Sequence, residues 1–167
     1  MSKSLIIARH AKSDWQNDES DHRRPLNEPG ISDAGLMGAY LANQNLNIDH
    51  VYCSDATRTQ QTLTLLSEYL TLSSSHISLA PQLYLASVTE LIEVIGSIPN
   101  AYQTVMLLGH NPGLTELCNE LANDNLTNLP TCSIYMIQLF VDDWQAVTRN
   151  TGERVLFMTP RMLKDAG

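Results

Sequence analysis

Short apolar runs recur along the chain and predict strands. The run at residues 104–108 is continuous, which is typical of a central parallel strand covered on both faces. The run at 77–80 stops at Pro81 and predicts an edge strand. The other predicted strands are residues 4–9, 51–53, 133–141, 144–148 and 154–158, of which 133–141 and 144–148 are expected to form a hairpin.

Segments with helical spacing of apolar residues lie between these runs. We expect the helices to begin at Ser32, at Ser54 or Asp55, at Ser87 and at Asn111-Pro112. Ser87 and Glu90 have the S-x-x-E spacing of a capping box. Residues 11–31 are polar and contain the breakers Pro25 and Pro29. They predict a long loop, and long loops in compact domains are usually functional.

Alternating strands and helices predict the fold class. The 167 residues fit one domain, residues 1–167, with a mostly parallel sheet between two layers of helices, an α/β/α sandwich. Ligands of such sheets bind beyond the carboxyl ends of the strands. Arg9-His10, Arg58 and His110 each follow a predicted strand. We therefore expect these side chains to meet at one edge of the sheet.

The charge distribution narrows the choice of ligand. The net charge of −8 argues against a nucleic-acid partner, whose phosphates need a basic face. No Lys or Arg occurs between Thr59 and Thr148. Six of the ten cations precede this span and could focus positive potential on one spot, although a chance distribution is the alternative. These six are Lys3, Arg9, Lys12, Arg23, Arg24 and Arg58.

The apolar runs and the cysteines bear on location. No apolar run approaches the roughly 20 residues that a membrane helix needs, and the first run is too short for a signal peptide. Cys53, Cys118 and Cys132 are odd in number and far apart, which favours reduced thiols in the cytoplasm. A reactive thiol is the alternative.

Two arginines and two histidines at strand ends suit a phosphoryl group. Arginine offers a planar fork of donors to phosphate oxygens, and a neutral imidazole nitrogen can attack phosphorus. No Asp, Glu or His group has convincing metal-ligand spacing, so we expect no metal or cofactor, with arginines in their place. Taken singly, His110 could be a helix-terminus histidine and Arg58 a surface residue. His22, His50 and His76 are interpreted as solvated or capping residues.

The motifs in combination resemble a known family. Arg9-His10, Arg58 with Thr62, and Gly109-His110-Asn111-Pro112 are similar to the histidine phosphatase, or phosphoglycerate mutase-like, superfamily. The runs 9–15, 24–27 and 159–163 resemble the SixA-type phosphohistidine phosphatases within it. Many superfamily members differ at two positions, with Gly in place of Ala11 and Ala in place of Thr59.

The resemblance implies a phosphoglycerate mutase-like fold and a set of roles. His10 would be the nucleophile that becomes phosphohistidine, and Arg9, Arg58 and His110 would complete the phosphate pocket. Ser13 and Arg24 would be neighbouring contacts to the substrate.

The general acid stays open at this point. Asp21 lies three residues before Arg24, at a position that is acidic in SixA-type relatives, whereas Glu90 is explained by its capping box. A substrate imidazole departs more readily than an alkoxide and needs a strong general acid less. The lack of an evident strong general acid in the sequence therefore favours phosphohistidine over phosphomonoester substrates.

The sequence leaves three candidate functions. The first is a metal-independent phosphatase that acts on a phosphorylated protein, a histidine phosphotransfer domain among the candidates. The second is a small-molecule phosphomonoesterase with the same pocket, and the third is a non-catalytic phosphate-binding module. Short connections, which leave little chain for a lid, favour the open site that a protein substrate needs.

Overall fold

The computed structural model describes residues 2–15 and 19–167, so residues 16–18 of the predicted loop lie outside the described residues. In the described part of the chain, the strands form one six-stranded sheet in the order β3-β2-β4-β1-β5-β6. Strands β1 to β4 pair in parallel, while β5 and β6 run antiparallel to their neighbours. The mostly parallel sheet, the interior position of β4 and the edge position of β3 are confirmed. The strands are β1 (Lys3–Arg9), β2 (His50–Cys53), β3 (Ile77–Leu79), β4 (Thr104–Gly109), β5 (Ile134–Leu139) and β6 (Gly152–Met158).

Helices cover both faces of the sheet. They are α1 (Glu28–Ala42), α2 (Thr57–Ser67), α3 (Val88–Gly96), α4 (Gly113–Ala122) and α5 (Pro160–Ala166). Leu5 and Ile7 of β1 pack with buried residues of α3 and α4, whereas Ile6 and Ala8 pack with those of α1 and α2. Successive side chains of a strand point to opposite faces, so the unbroken apolar run of β1 feeds two cores and confirms the three layers. No helix among the described residues has the length and apolar character of a membrane span.

The helix starts correct several predictions. Helix α1 begins at Glu28 rather than at Ser32, because Asn27 caps it by accepting a hydrogen bond from Gly30 N at 2.8 Å. Pro29 therefore lies in the first turn, where proline is tolerated, and does not break the helix. Helix α2 begins at Thr57 and has no side-chain cap, because the backbone N–H that donates to Ser54 Oγ, at 3.3 Å, is that of Ala56, before the helix.

The observed starts of α3 and α4 lie closer to the predicted ones. The capping box of Ser87 and Glu90 is present in both directions and confirms the predicted start of α3. Helix α4 begins at Gly113, just after the predicted Asn111-Pro112.

The predicted strand at 144–148 is wrong. Trp144–Ala146 form a 3₁₀ helix, and Trp144 and the following Val147 are buried at a spacing of three residues. Trp144 N donates to Asn100 Oδ1 at 3.0 Å, and its indole Nε1 donates to Tyr102 O at 2.9 Å. These long-range partners override the local alternation, so β5 pairs with β6 instead. Helix α5, capped by Thr159, was not predicted.

Gly113 provides a test of how tightly α4 is seated. A Cβ at this position would lie 2.1 Å from the carbonyl oxygen of Ala86, a backbone atom that cannot rotate away. We expect Gly113→Ala to lower the free energy of unfolding by about 1–3 kcal/mol, the usual cost of overpacking. Denaturant unfolding monitored by circular dichroism measures the change.

The matched control is Gly96→Ala, where a Cβ would meet nothing within 4 Å. Gly96 is the last residue of α3, so the added methyl group should leave stability unchanged or raise it by up to about 1 kcal/mol. Equal stability of the two variants would contradict the close approach of α4 to residue 86.

Candidate active site

The carboxyl ends of β1, β2 and β4 meet at one edge of the sheet. Arg9 pairs with Gly109, and Cys53 pairs with Leu108, so the residues that follow each strand emerge side by side. A cavity of about 420 Å³ opens at this edge. Its lining includes all seven residues predicted for the site, namely Arg9, His10, Ser13, Asp21, Arg24, Arg58 and His110.

The imidazole of His10 is held in one tautomer. Its Nδ1 lies 2.7 Å from Ala11 O, a carbonyl that can only accept, so Nδ1 carries the proton. Its Nε2 lies 3.4 Å from Arg58 Nε, a donor, and therefore presents a lone pair. Burial lowers the pKa of His10 most, the hydrogen bond to Ala11 raises it, and the charges of Arg58, Arg9 and Arg24 lower it further, to about 4. His10 is thus neutral near pH 7, with a nucleophilic nitrogen beside the guanidinium groups.

Helix α2 supports the start of the loop that follows β1. Thr62 Oγ1 accepts a hydrogen bond from Ala11 N at 3.0 Å and donates to Arg58 O at 2.7 Å. His10 N donates to Gly109 O at 3.2 Å, so the backbone on both sides of the imidazole is anchored. These contacts fix the position of Ala11 O, which in turn orients the ring of His10.

Arg58 is the central group of the cavity. Its side chain is almost fully buried, and Nη1 donates to Asp21 O at 2.6 Å while Nη2 lies 3.2 Å from Asp21 Oδ2. Nη2 also lies 3.3 Å from His110 Nδ1, and Nε faces His10. One planar guanidinium therefore contacts both histidines and the acidic residue.

His110 is oriented by a residue that the sequence reading treated only as a helix cap. Its Nδ1 faces the Arg58 guanidinium, which can only donate, so the proton of the neutral ring lies on Nε2 and is donated to Ser54 Oγ at 2.7 Å. Burial lowers the pKa of His110 most, and His10 and Arg58 lower it further. Asp21 raises it, but the net effect lowers the pKa to about 3. The two imidazole rings lie 5.3 Å apart between centroids.

The Arg9 side chain uses only part of its hydrogen-bonding capacity within the described part of the chain. Its Nη1 donates to Leu129 O at 3.0 Å, but its Nε is buried and finds no hydrogen-bond partner in the part of the chain that the structure describes. Burial and the charge of Arg58 lower the pKa of Arg9. An unsatisfied buried N–H costs free energy, so an anionic oxygen bound beside it would be stabilised.

Asp21 is engaged as an acceptor from three directions. Its Oδ1 accepts from Arg24 Nε and Nη2 at 3.2 and 3.1 Å, and its Oδ2 accepts from the Tyr84 hydroxyl and from Arg58. Burial raises the pKa of Asp21, but the hydrogen bonds from Tyr84 and Arg24 and the charge of Arg58 outweigh it and lower the pKa to about 2. Arg24 Nη1 also donates to Ser13 Oγ. Asp21 is a carboxylate near pH 7 and orients both arginines.

The other acidic candidate lies elsewhere. Glu90 accepts a hydrogen bond from Ser87 N at 3.1 Å in the capping box. Glu90 is not one of the described residues that line the cavity.

The six early cations do not all converge. Arg9, Lys12, Arg24 and Arg58 line the cavity, whereas Lys3 is buried at the opposite end of β1. Lys3 Nζ there donates to Asn100 O and Tyr102 O at 2.6 and 3.1 Å. The expectation of one focused set therefore holds for four of the six.

The remaining histidines and the cysteines have structural surroundings. His22 Nε2 lies 2.8 Å from Asp55 Oδ1, and His76 caps a 3₁₀ helix. His50 is buried beside Ser78, so the interpretation of it as a solvated or capping residue is wrong. The three cysteines are buried and unpaired, and burial raises the pKa of all three thiols.

Tyr84, Ser54 and the Leu129 carbonyl were missed by sequence reasoning. Tyr84 lies 63 residues from its partner Asp21 and follows no periodic pattern. Ser54 directly follows a predicted strand, as Arg9-His10 and His110 do, and that position was the signal available for it.

The arrangement can bind a tetrahedral anion and attack it. Guanidinium groups and the two imidazoles surround the cavity, and the lone pair on His10 Nε2 is available to act as a nucleophile. Phosphoryl transfer needs this combination of positive charge and an in-line nucleophile.

Comparisons with known proteins agree with this geometry. The sequence model of the histidine phosphatase superfamily (branch 1) matches residues 5–83. An uncharacterized protein of Mycobacterium tuberculosis is 32% identical over 163 residues, which cover 92% of this chain and 99% of that protein. The 2,3-bisphosphoglycerate-dependent phosphoglycerate mutase of Azorhizobium caulinodans is 37% identical over 76 residues, which cover 44% of this chain and 37% of that enzyme.

Solved structures extend the similarity to nearly the whole chain. The structure of the protein histidine phosphatase SixA complexed with tungstate is 26% identical, covers 96% of this chain and 99% of its own, and has a TM-score of 0.82. The family and this similarity together support a phosphatase. The chain belongs to the histidine phosphatase superfamily, and its α/β/α fold is that of the SixA structures.

Proposed function

We propose that this protein is a metal-independent phosphatase that removes the phosphoryl group from protein phosphohistidine. The observation that carries the proposal is the state of His10, whose Nδ1–H is tied to Ala11 O while the lone pair of Nε2 faces Arg58. A neutral imidazole in this orientation is a nucleophile that needs no further base.

The reaction proceeds in two steps. His10 Nε2 attacks phosphorus, a new N–P bond forms, and the N–P bond of the substrate breaks so that its electron pair returns to the departing imidazole. Water then attacks the phosphoryl group on His10, the Nε2–P bond breaks, and the protons of the water leave with inorganic phosphate and solvent. Arg9, Arg58 and His110 line the cavity, and in this mechanism they contact the phosphoryl oxygens in both steps.

The protonation state of Asp21 supports a phosphoramidate substrate. Asp21 has a pKa of about 2 and accepts hydrogen bonds from Tyr84, Arg24 and Arg58, so it holds no proton to donate near pH 7. An alkoxide leaving group needs a strong acid, whereas an imidazole leaves without one. Asp21 acts in this scheme by positioning the arginines.

The positive charge of the site supports catalysis without a metal. Arg58 and Arg24 are almost fully buried, and Arg9 has a buried donor without a partner among the described residues. Fixed guanidinium groups stabilise charge on the equatorial oxygens of a transferred phosphoryl group, as Mg²⁺ does in other enzymes.

The activity and the ligand of the SixA relative point the same way. It is a protein histidine phosphatase, and it was solved with tungstate, an oxyanion. A phosphorylated histidine phosphotransfer domain is the partner that we propose, and the cytoplasm is the compartment, where the thiols of Cys53, Cys118 and Cys132 would stay reduced.

Removal of the nucleophile tests the chemistry. We expect His10→Ala to lower turnover of a phosphorylated histidine phosphotransfer domain by on the order of 10⁴-fold or more, since His10 Nε2 is the attacking nitrogen in this mechanism. A chelator should leave the wild-type rate unchanged. Release of phosphate, and trapping of label on His10 in acid-free gels, are the measurements.

His76→Ala is the matched control and should keep wild-type activity, because His76 lies in a surface 3₁₀ helix. Turnover that survives His10→Ala would exclude the mechanism. Phosphate binding without any trapped label would favour the non-catalytic phosphate-binding module.

A substrate panel separates the two enzymatic functions. We expect kcat/KM for the phosphorylated histidine phosphotransfer domain to exceed that for sugar phosphates by about 100-fold or more, because Asp21 cannot serve as a strong acid. The opposite order would identify a small-molecule phosphomonoesterase. Inorganic phosphate release from both sets at equal enzyme concentration provides the comparison.

The histidine pKa values can be measured directly. Because the folded pKa of His10 is about 4, its ring is neutral above that pH and becomes charged as the pH falls through 4. We expect its NMR resonances to move near pH 4 and those of His110 near pH 3, far below the usual 6.5. Arg58→Gln should raise the midpoint for His10. A midpoint near 6.5 would contradict the buried, arginine-flanked geometry.

A further inference from the structure

Exposed apolar side chains collect around the mouth of the active-site cavity. Trp15 is 75% exposed and Leu85 is 53% exposed, and both line the cavity. Ile31 is 49% exposed and lines an adjoining cavity that also includes Trp15. Single exposed apolar residues are ordinary, but a group around a site marks a contact surface. We call Trp15, Ile31 and Leu85 the apolar rim.

The backbone at Leu85 is held in an uncommon conformation. Its φ is +48°, in the left-handed region that residues other than glycine, asparagine and aspartate rarely adopt. The neighbouring Leu83 and Ala86 are buried in the core, and Gly113 packs against Ala86 O, so the segment is anchored on both sides. A leucine kept exposed at the cost of a strained backbone indicates a role in contact with a ligand.

Trp15 is held by the catalytic network itself. The Arg24 guanidinium carbon lies 3.4 Å from the centre of the indole ring. Arg24 is in turn fixed by Asp21 and Ser13. The ring is thus positioned beside the phosphate pocket even though most of its surface is exposed.

The size of the rim identifies the class of occupant. The phosphoryl group binds among the arginines, so whatever carries it must cross the mouth. The two adjoining cavities, of about 420 and 460 Å³, share Ser13, Trp15 and Asn27 and extend the surface as far as Ile31. The first cavity alone has room for about a dozen waters at about 30 Å³ each, enough for a phosphoryl group and its imidazole. Ile31 lies beyond this cavity, where a wider carrier would contact it.

We propose that the apolar rim of Trp15, Ile31 and Leu85 docks the apolar protein surface that surrounds the phosphohistidine of the partner. This inference rests on the proposed function and names how the same site selects a protein over a metabolite. An exposed tryptophan that lines the same cavities as smaller apolar side chains is the kind of anchor that dominates protein interfaces. The rim contributes to binding of the carrier, and the arginines to binding of the phosphoryl group.

The test compares two phosphodonors on the same variants. One is a phosphorylated histidine phosphotransfer domain, and the other is phosphoramidate, which has the same N–P bond without a protein. Leu85→Asn removes the apolar side chain, adds no charge near the phosphate pocket and suits the left-handed backbone. We expect Leu85→Asn and Ile31→Asn each to lower the ratio of kcat/KM for the protein to that for phosphoramidate by roughly fivefold or more.

Leu79→Asn is the matched control. Leu79 is 51% exposed, almost as much as Leu85, but lies on the edge strand β3. The ratio for Leu79→Asn should stay within about twofold of the wild-type ratio. Thermal unfolding of all the variants checks that each is folded.

An unchanged ratio in both rim variants would overturn the docking proposal. If the ratio is unchanged because activity falls equally with both donors, the residues belong to the phosphate pocket. If the ratio is unchanged but the oligomeric state changes, the rim makes contacts between copies of this chain. Wild-type activity on phosphoramidate but not on the phosphoprotein would instead reject the proposed function.

Discussion

The buried guanidinium of Arg58 is the group on which the geometry of the site depends. A buried charge must be paired and hydrogen-bonded to be tolerated, and Arg58 meets this need through Asp21. Two further N–H groups, on Nε and Nη2, face His10 and His110. Because an arginine can only donate, it imposes a lone pair on the facing nitrogen of each ring. One residue of α2 thereby sets the protonation of residues that follow two different strands.

The second nitrogen of each ring completes this arrangement. Ala11 O accepts from His10, and Ser54 Oγ accepts from His110, so neither ring can exchange its tautomer without losing a hydrogen bond. The two acceptors differ in kind, since one is a backbone carbonyl and the other is a hydroxyl. His10 gains a fixed nucleophilic nitrogen, whereas His110 can become a donor on both nitrogens when a bound anion favours its protonation.

The sequence predicted the elements that local patterns encode. Strand-end positions identified Arg58 and His110 because parallel topology brings such residues to one edge. The Asp21–Tyr84 contact, by contrast, joins one short 3₁₀ helix to the residue that follows another, and no sequence periodicity predicts it. The exposure of Leu85 could not be predicted from the sequence either, because it follows from the burial of the neighbouring residues in the folded chain. Trp144 shows the same limit for the fold, since the alternation around it suggested a strand while its hydrogen-bond partners lie more than forty residues away.

The free site is electrostatically unfavourable in a way that suits its chemistry. The charge of Arg58 adds to burial in lowering the pKa of Arg9, and the arginines also oppose protonation of His10. The single carboxylate among the site residues, Asp21, faces Arg24 and Arg58 rather than Arg9 in its hydrogen bonds. A phosphoryl group is doubly charged near pH 7, so its binding would relieve this repulsion and supply Arg9 Nε with the acceptor that this atom lacks among the described residues. In the proposed reaction, the same repulsion keeps His10 unprotonated until phosphorus is within reach, so that one cluster of charges would both bind the anion and maintain the nucleophile.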